Sequence, residues 1–407
     1  MKLYKLLSYL FVFLACGFVL VAQDLRDRVT THKLSNGLTV LITERHEAPV
    51  FTAAYAFKVG SVDEVSGITG VAHLFEHMAF KGTTKIGTKD FAKEKIIMDQ
   101  INEIGKEISL ELIKGNDADK EKLKTLREKF SQLDKEQKKY IVKDEIFTIY
   151  NEAGGAGLNA STGTDYTQYF VSLPVNRFEL WCLVESERMK DGVLREFYTE
   201  RSVVQEERKQ TTEANPTRQL SELFMAAAFI AHPYGNPIVG WSSDINSVTL
   251  EEAYKFKSKY YVPNNCVLSI VGDVEPKKVI PVIEKYFGSI KKGEEIQPLR
   301  TVEPKQLGER RISLAANAEP VMLIGFHKPS FPDKDDAVMS VISGLLTSGR
   351  TSRLYKDLIT DKQIAFNIAS GSTPGQRYDN LFVIQASPRN PHTNEELEKS
   401  IMDHLNK

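Results

Sequence analysis

Cysteine is scarce in this chain, with three in 407 residues. Cys16 falls in an apolar N-terminal run, which leaves Cys182 in "ELWCLVE" and Cys266 in "NNCVLSIVG", settings where a thiol serves as a small hydrophobe. A disulfide framework and a cysteine-based metal cluster are thereby excluded, and a packed core must hold the fold. An excess of one charge is missing too. The balance of 54 acidic against 53 basic residues argues against a dedicated nucleic-acid or membrane-surface protein. Past the first 23 residues no segment is long and apolar enough to cross a bilayer. What is left is ordinary globular material, 42% hydrophobic and 26% charged, long enough for two or more domains.

The N-terminus is the exception. Lys2 and Lys5 precede the apolar run 6–22, which ends in small residues. This pattern predicts a secretory leader over 1–22, cleaved near Ala22 or Gln23, and therefore an exported protein, periplasmic or secreted. A retained anchor, or a lipid on Cys16, is the alternative and would be the chain's tie to a membrane.

Along the rest of the chain, "GLTVLITERHEAPVFTAAYAFKVGS" carries two β-rich runs separated at Glu47, Ala48 and Pro49, which predicts two neighbouring strands. Helical spacing follows in "TGVAHLFEHMAF". Between 101 and 145 about half of the residues are charged, and apolar positions recur at 101, 104, 108 and 112, then at 123, 126, 130 and 133. That is an antiparallel helical hairpin broken at "GND", read as a solvated insertion with a narrow apolar seam. A glycine-rich loop leads through "GGAGLNASTGTDYTQYF" into a strand. No lysine follows its glycines, so it is not a phosphate-binding loop. Helices are expected in "RFELWCLVESERMKDG" and "YTERSVVQEERKQTTE". "HPYGNPIVGWSSDINS", rich in Gly, Pro, Asn and Ser, reads as a passage between domains. Beyond it, helix and strand alternate, and "APVFTAAYAFKVGS" set against "EPVMLIGFHKPS" hints at a duplicated strand plan.

Eight histidines are present in all, and two of them stand four apart beside a glutamate in "VAHLFEHMAF". On a helix His73 and His77 lie one turn apart and point the same way, so both imidazoles reach one ion. Zinc suits such a pair, because it accepts neutral nitrogen donors tetrahedrally and needs no redox partner. Glu76 sits close to that ion without sharing its vertex, where a carboxylate can take a proton from an activated water and pass it to a leaving amine. A third ligand is still required. The acidic helix offers Glu200, Glu206 and Glu207, of which Glu200 and Glu207, seven apart, share a face.

His73-Leu-Phe-Glu76-His77 is the inverted zincin pattern. Together with "GGAGLNASTGTDYTQYF", "ERSVVQEE" and "HPYGNPIVG", in that order from about Val29 onward, it resembles the pitrilysin or insulinase zinc metallopeptidases, which include mitochondrial processing peptidase. The resemblance implies an α+β fold of two related domains, each a mixed, mostly antiparallel sheet packed by helices, making half of a clamshell chamber. The zinc-bearing domain would span 29–240 with the hairpin at 101–145 inserted, and a second domain of the same fold, incomplete at its C-terminus, would span 241–407. The resemblance further implies that His73, His77 and Glu207 bind Zn2+, that Glu76 is the general base with Glu200 as supporting acid, and that Asn159 and Ala160 lie on the strand to which substrate adds its backbone. The family spaces its second histidine and third ligand by roughly seventy to eighty residues, against 130 here, and the hairpin accounts for the excess. Active members are built from two homologous halves, one supplying an arginine and a tyrosine over the other's zinc. Ile359 and Phe366 stand at the matching positions here, which implies the zinc-bearing half, dependent on a different half in trans or in tandem. The expected function is hydrolysis of peptides or unfolded segments, with a noncatalytic scaffold on the same fold as the alternative.

Overall fold

The computed structural model describes residues 25–406, so the expected leader and Cys16 lie outside the described residues. The strands form two sheets. The first takes β1 (Thr30–Lys33), β2 (Thr39–Glu44), β3 (Val50–Phe57), β4 (Ala156–Thr162), β5 (Thr167–Pro174) and β6 (Cys266–Gly272) in the order β1-β2-β6-β3-β5-β4. All pairs are antiparallel except β2 with β6. The second takes β7 (Met322–Lys328), β8 (Ala365–Thr373) and β9 (Asn380–Pro388) in the order β7-β9-β8, all antiparallel.

The described α-helices are α1 (Val71–Met78), α2 (Phe91–Leu112), α3 (Lys120–Gln137), α4 (Glu145–Glu152), α5 (Phe178–Asp191), α6 (Phe197–Arg208), α7 (Pro216–Ala228), α8 (Ser242–Ser247), α9 (Leu250–Tyr260), α10 (Pro276–Phe287), α11 (Lys334–Thr347) and α12 (Asn394–Leu405). The architecture is a mixed α+β fold of sheets packed by helices, as expected. Period-two burial explains the central strands. Phe51, Ala53, Tyr55 and Phe57 of β3 and Tyr169, Val171 and Leu173 of β5 face one core, into which α1, α5, α6, α9 and α10 send apolar side chains. Cys182 and Cys266 are both buried there as free thiols.

Two expectations need correction. β2 and β3 are not neighbours, because β6 lies between them, paired parallel to β2 and antiparallel to β3. Residues 45–49 contain a proline and no Asn-Gly or Gly-X pair for a tight hairpin, so the chain is free to step over a strand. The placement of β6 also moves the expected break at 240/241. The first sheet draws its third strand from residues 266–272, and the stretch without helix or strand that leads to the second sheet is 291–321. Polar, glycine-rich composition around 232–248 marked a loop, and that loop folds back onto the first sheet's own helices.

The hairpin forms as α2 and α3, starting ten residues earlier than expected. Ile108, Leu123 and Leu126 make its seam. β3-β5-β4 and β7-β9-β8 repeat one strand order, so the likeness between the segments around β3 and β7 has a counterpart in topology.

Candidate active site

The loop before α1 fixes where its side chains point. Glu64, buried at 3% exposure, accepts hydrogen bonds from the Gly70 and Ala72 amides, 2.8 Å each, and so occupies the helix N-terminus. Asp244 Oδ2 accepts from the Gly67 and Thr69 amides and from Thr69 Oγ1 at 2.7 Å. Gly70 has φ 87°, and a Cβ there would lie 2.4 Å from the Val239 carbonyl oxygen. The "NPIVGWSSD" stretch thus clamps the start of α1. Val71, Ala72, Leu74, Phe75 and Met78 are buried, which leaves His73, Glu76 and His77 as a polar stripe.

That stripe meets α6. His73 Nε2 lies 3.8 Å from Glu207 Oε1, and His77 Nε2 lies 3.5 Å from Glu207 Oε2. One donor atom from each of the three residues falls within 4.8 Å of the others. Tetrahedral zinc at ~2.0–2.1 Å from nitrogen or carboxylate oxygen puts ligands about 3.3 Å apart, so contractions of up to about 1.5 Å would close the set. Glu200, about two turns earlier on the same helix face, accepts from His77 Nδ1 at 3.1 Å, which leaves Nε2 facing Glu207. Glu206 faces outward toward Lys209. The two imidazoles and one carboxylate therefore fit a zinc ion. His73 Nδ1 is buried without a hydrogen-bond partner, so its orientation is set by packing.

Electrostatics treats the two imidazoles differently: burial opposes the charge on His77, but the hydrogen bond to Glu200 and the nearby Glu200, Glu207 and Glu76 carboxylates outweigh it and raise His77. Burial, with His77 nearby, pushes His73 down to about 4, keeping it a neutral donor at pH 7. For Glu200, burial opposes ionisation, but hydrogen bonds from His77 and Lys81 outweigh it and hold the carboxyl down at about 2. Burial raises Glu76 above its ordinary value, against a hydrogen bond from Thr162 that favours the charged form.

Two participants escaped the sequence reading. Lys81 Nζ lies 2.6 Å from Glu200 Oε2; its signal was the recurrence of four in His73, His77 and Lys81. Thr162 Oγ1 donates to Glu76 Oε2 at 2.6 Å. Thr162 follows Ala160 by two, on the same side of β4.

Asn159 and Ala160 are in β4, the last strand of the first sheet, paired through β5 on one side only among the described residues. Ile359 and Phe366 belong to the second sheet's region, the first against its core and the second 69% exposed. The hairpin backs α6. Tyr198 donates to Asn102 Oδ1, Thr199 to Asp134 and Arg201 to Ser109. Arg195, 1% exposed, pairs with the fully buried Glu94 and donates to the carbonyls of Lys81 and Thr83. This fastens α2, the end of the α1 loop and the start of α6 to one another.

Comparison with known proteins places this geometry. Residues 39–106 match the model of insulinase, peptidase family M16, and residues 247–407 match that of the peptidase M16 inactive domain, together more than half of the chain. His73, Glu76 and His77 lie in the first range, and Glu207 lies between the two. The zinc protease PqqE of Helicobacter pylori is 28% identical over 399 residues, covering 96% of this chain and 77% of that one. A crystal structure of a protease from Helicobacter pylori superposes with a TM-score of 0.74 at 28% identity, over 93% of this chain and 79% of the other. The periplasmic protease PqqL of Escherichia coli shares the fold at 17% identity and a TM-score of 0.62, this chain covering 39% of its length. By these matches, the chain resembles the M16 peptidases over both ranges.

Proposed function

We propose that the chain is a zinc-dependent metalloendopeptidase acting on peptides or unfolded polypeptide segments. The observation that carries this reading is the meeting of His73, His77 and Glu207 within 4.8 Å, with Glu76 alongside and, among the described residues, a sheet edge next to it. A zinc ion held by those three residues would supply Lewis acidity, acidifying water and polarising the scissile carbonyl. Glu76, its carboxylate held by Thr162, would take a proton from the attacking water and return it to the leaving amine. Glu200 keeps His77 in the tautomer whose Nε2 can bind metal, and Lys81 balances the charge of Glu200. Substrate adds to β4 as an extended strand, with Asn159 and Ala160 pairing through the backbone.

Ile359 and Phe366 offer neither cation nor phenol, so a second homologous half, as a separate subunit or in tandem, would complete the chamber. The leader predicted at 1–22 supports export to the periplasm or beyond. A noncatalytic scaffold could dispense with the base and the ligands, yet all of them are present and oriented here.

The test is cleavage of an unstructured peptide mixture by the zinc-loaded chain, read by mass spectrometry with Glu76→Gln as control. Cleavage lost in the variant supports the peptidase and removes the need for a second half. Silence both alone and with a companion half would leave the scaffold.

A further inference from the structure

The turn 163–166, which joins β4 to β5, follows directly from Thr162 and so from the partner of Glu76. Its backbone is pressed against the segment that leads to α1. Ser61 N and Val62 N donate to the carbonyls of Gly163 and Thr164 at 3.3 and 3.0 Å. A Cβ on Gly60 would lie 2.4 Å from both oxygens. The tip of this turn, Asp165, reaches into the second sheet's territory. Its Oδ1 accepts from Tyr234 Oη–H at 2.7 Å, and its Oδ2 accepts from the Gln376 and Arg377 amides at 2.6 and 3.1 Å. The Tyr234 hydroxyl oxygen in turn accepts from the Arg377 and Tyr378 amides. Thr164 Oγ1 donates to the Pro374 carbonyl, and the Arg377 guanidinium pairs with Asp63 at 3.3 Å. Every partner from the far side belongs to the β8–β9 turn, 374–379. Tyr234 is 1% exposed and packs with Val62, Phe229 and Leu381.

We infer that the β8–β9 turn is a brace for the substrate strand, with Asp165 and Tyr234 as positioning residues. This inference rests on the peptidase reading above and gives the second sheet a part in it. Among the described residues that sheet carries no metal-ligating cluster. Its contribution is geometric. It pins the β4–β5 turn, hence the register and stiffness of the edge at Asn159 to Thr162. Metal binding should not depend on it, because α1 and α6 hold His73, His77 and Glu207 from the other side.

Gly375 allows a test from a distance, since a Cβ there would lie 2.5 Å from both Asp165 Oδ2 and Tyr234 Oη. Zinc-loaded full chains carrying Gly375→Ala, Asp165→Asn or Tyr234→Phe are compared with the parent by hydrogen–deuterium exchange over 156–168, by zinc content and by kinetics on an extended peptide. The brace predicts exchange faster by about tenfold in that segment, unchanged zinc, and KM raised roughly three- to tenfold with kcat within about threefold. Folded, zinc-loaded Gly375→Ala with parental exchange and KM would overturn it. So would loss of zinc in step with the exchange, which would mean general unfolding of the site. If the parent chain cleaves nothing even with a companion half, the peptidase reading fails, while exchange still decides whether the turn is braced.

Discussion

Two regions of the molecule share a strand order and differ in what they carry. In β3-β5-β4 the first helix after the leading strand, α1, presents His73, Glu76 and His77 to a second helix that answers with Glu200 and Glu207. In β7-β9-β8 the first helix, α11, buries Leu346 on its inner face and turns Val338, Val341 and Leu345 outward, exposed by 53, 62 and 67%. Its sequence from Lys334 to Thr347 holds no histidine. The strand frame is therefore permissive, and what separates the two regions is three polar side chains at helical spacing plus a facing helix held in place. Much of the first region's architecture serves that placement: Glu64 and Asp244 at the start of α1, Arg195 and Glu94 at the start of α6, and the hairpin behind α6.

The largest test of this contrast is Glu76→Gln. Peptide cleavage should fall by about 10²–10⁴-fold while zinc stays bound, as read from initial rates and metal content; unaltered cleavage would move the base elsewhere. Next comes Arg195→Met, which strands Glu94 as a buried unpaired charge. Denaturant unfolding should show a loss of about 3–5 kcal/mol. A neutral result would mean that α6 is held without this pair.

Glu200→Gln is expected to weaken zinc about 10- to 100-fold in competition titrations, because a neutral amide replaces the carboxylate whose charge strengthens the hydrogen bond that orients His77. The smallest effect belongs to the second region. Val341→Glu, on the exposed face of α11, should shift stability by no more than about 0.5 kcal/mol. A larger loss would show that this face is covered in solution and is not the idle counterpart of α1.

How much of this was legible in the sequence follows from the range of each interaction. His73, Glu76 and His77 were readable because helical periodicity brings residues three and four apart together, and the same rule set Glu200 and Glu207 on one face and Glu206 off it. The hairpin's apolar spacing was equally local. The position of β6 between β2 and β3 was not readable, since its pairing reaches across more than two hundred residues with no signal beyond strand propensity. Composition also misled at "HPYGNPIVGWSSDINS". Glycine and proline mark a loop, but they do not say whether it links domains or, as here, folds back so that Gly240 and Asp244 grip the start of α1. Thr162 and Asp165 looked like ordinary members of a polar turn, and only the tertiary contacts with Glu76 and the β8–β9 turn set them apart.

The proposed function requires one zinc ion between α1 and α6. Anomalous diffraction at the zinc absorption edge, from crystals of the zinc-saturated chain, tests it most directly. One strong peak bonded to His73, His77 and Glu207 at ~2.0–2.2 Å is expected. Saturated crystals with no peak there, or with zinc held by other residues instead, would contradict it.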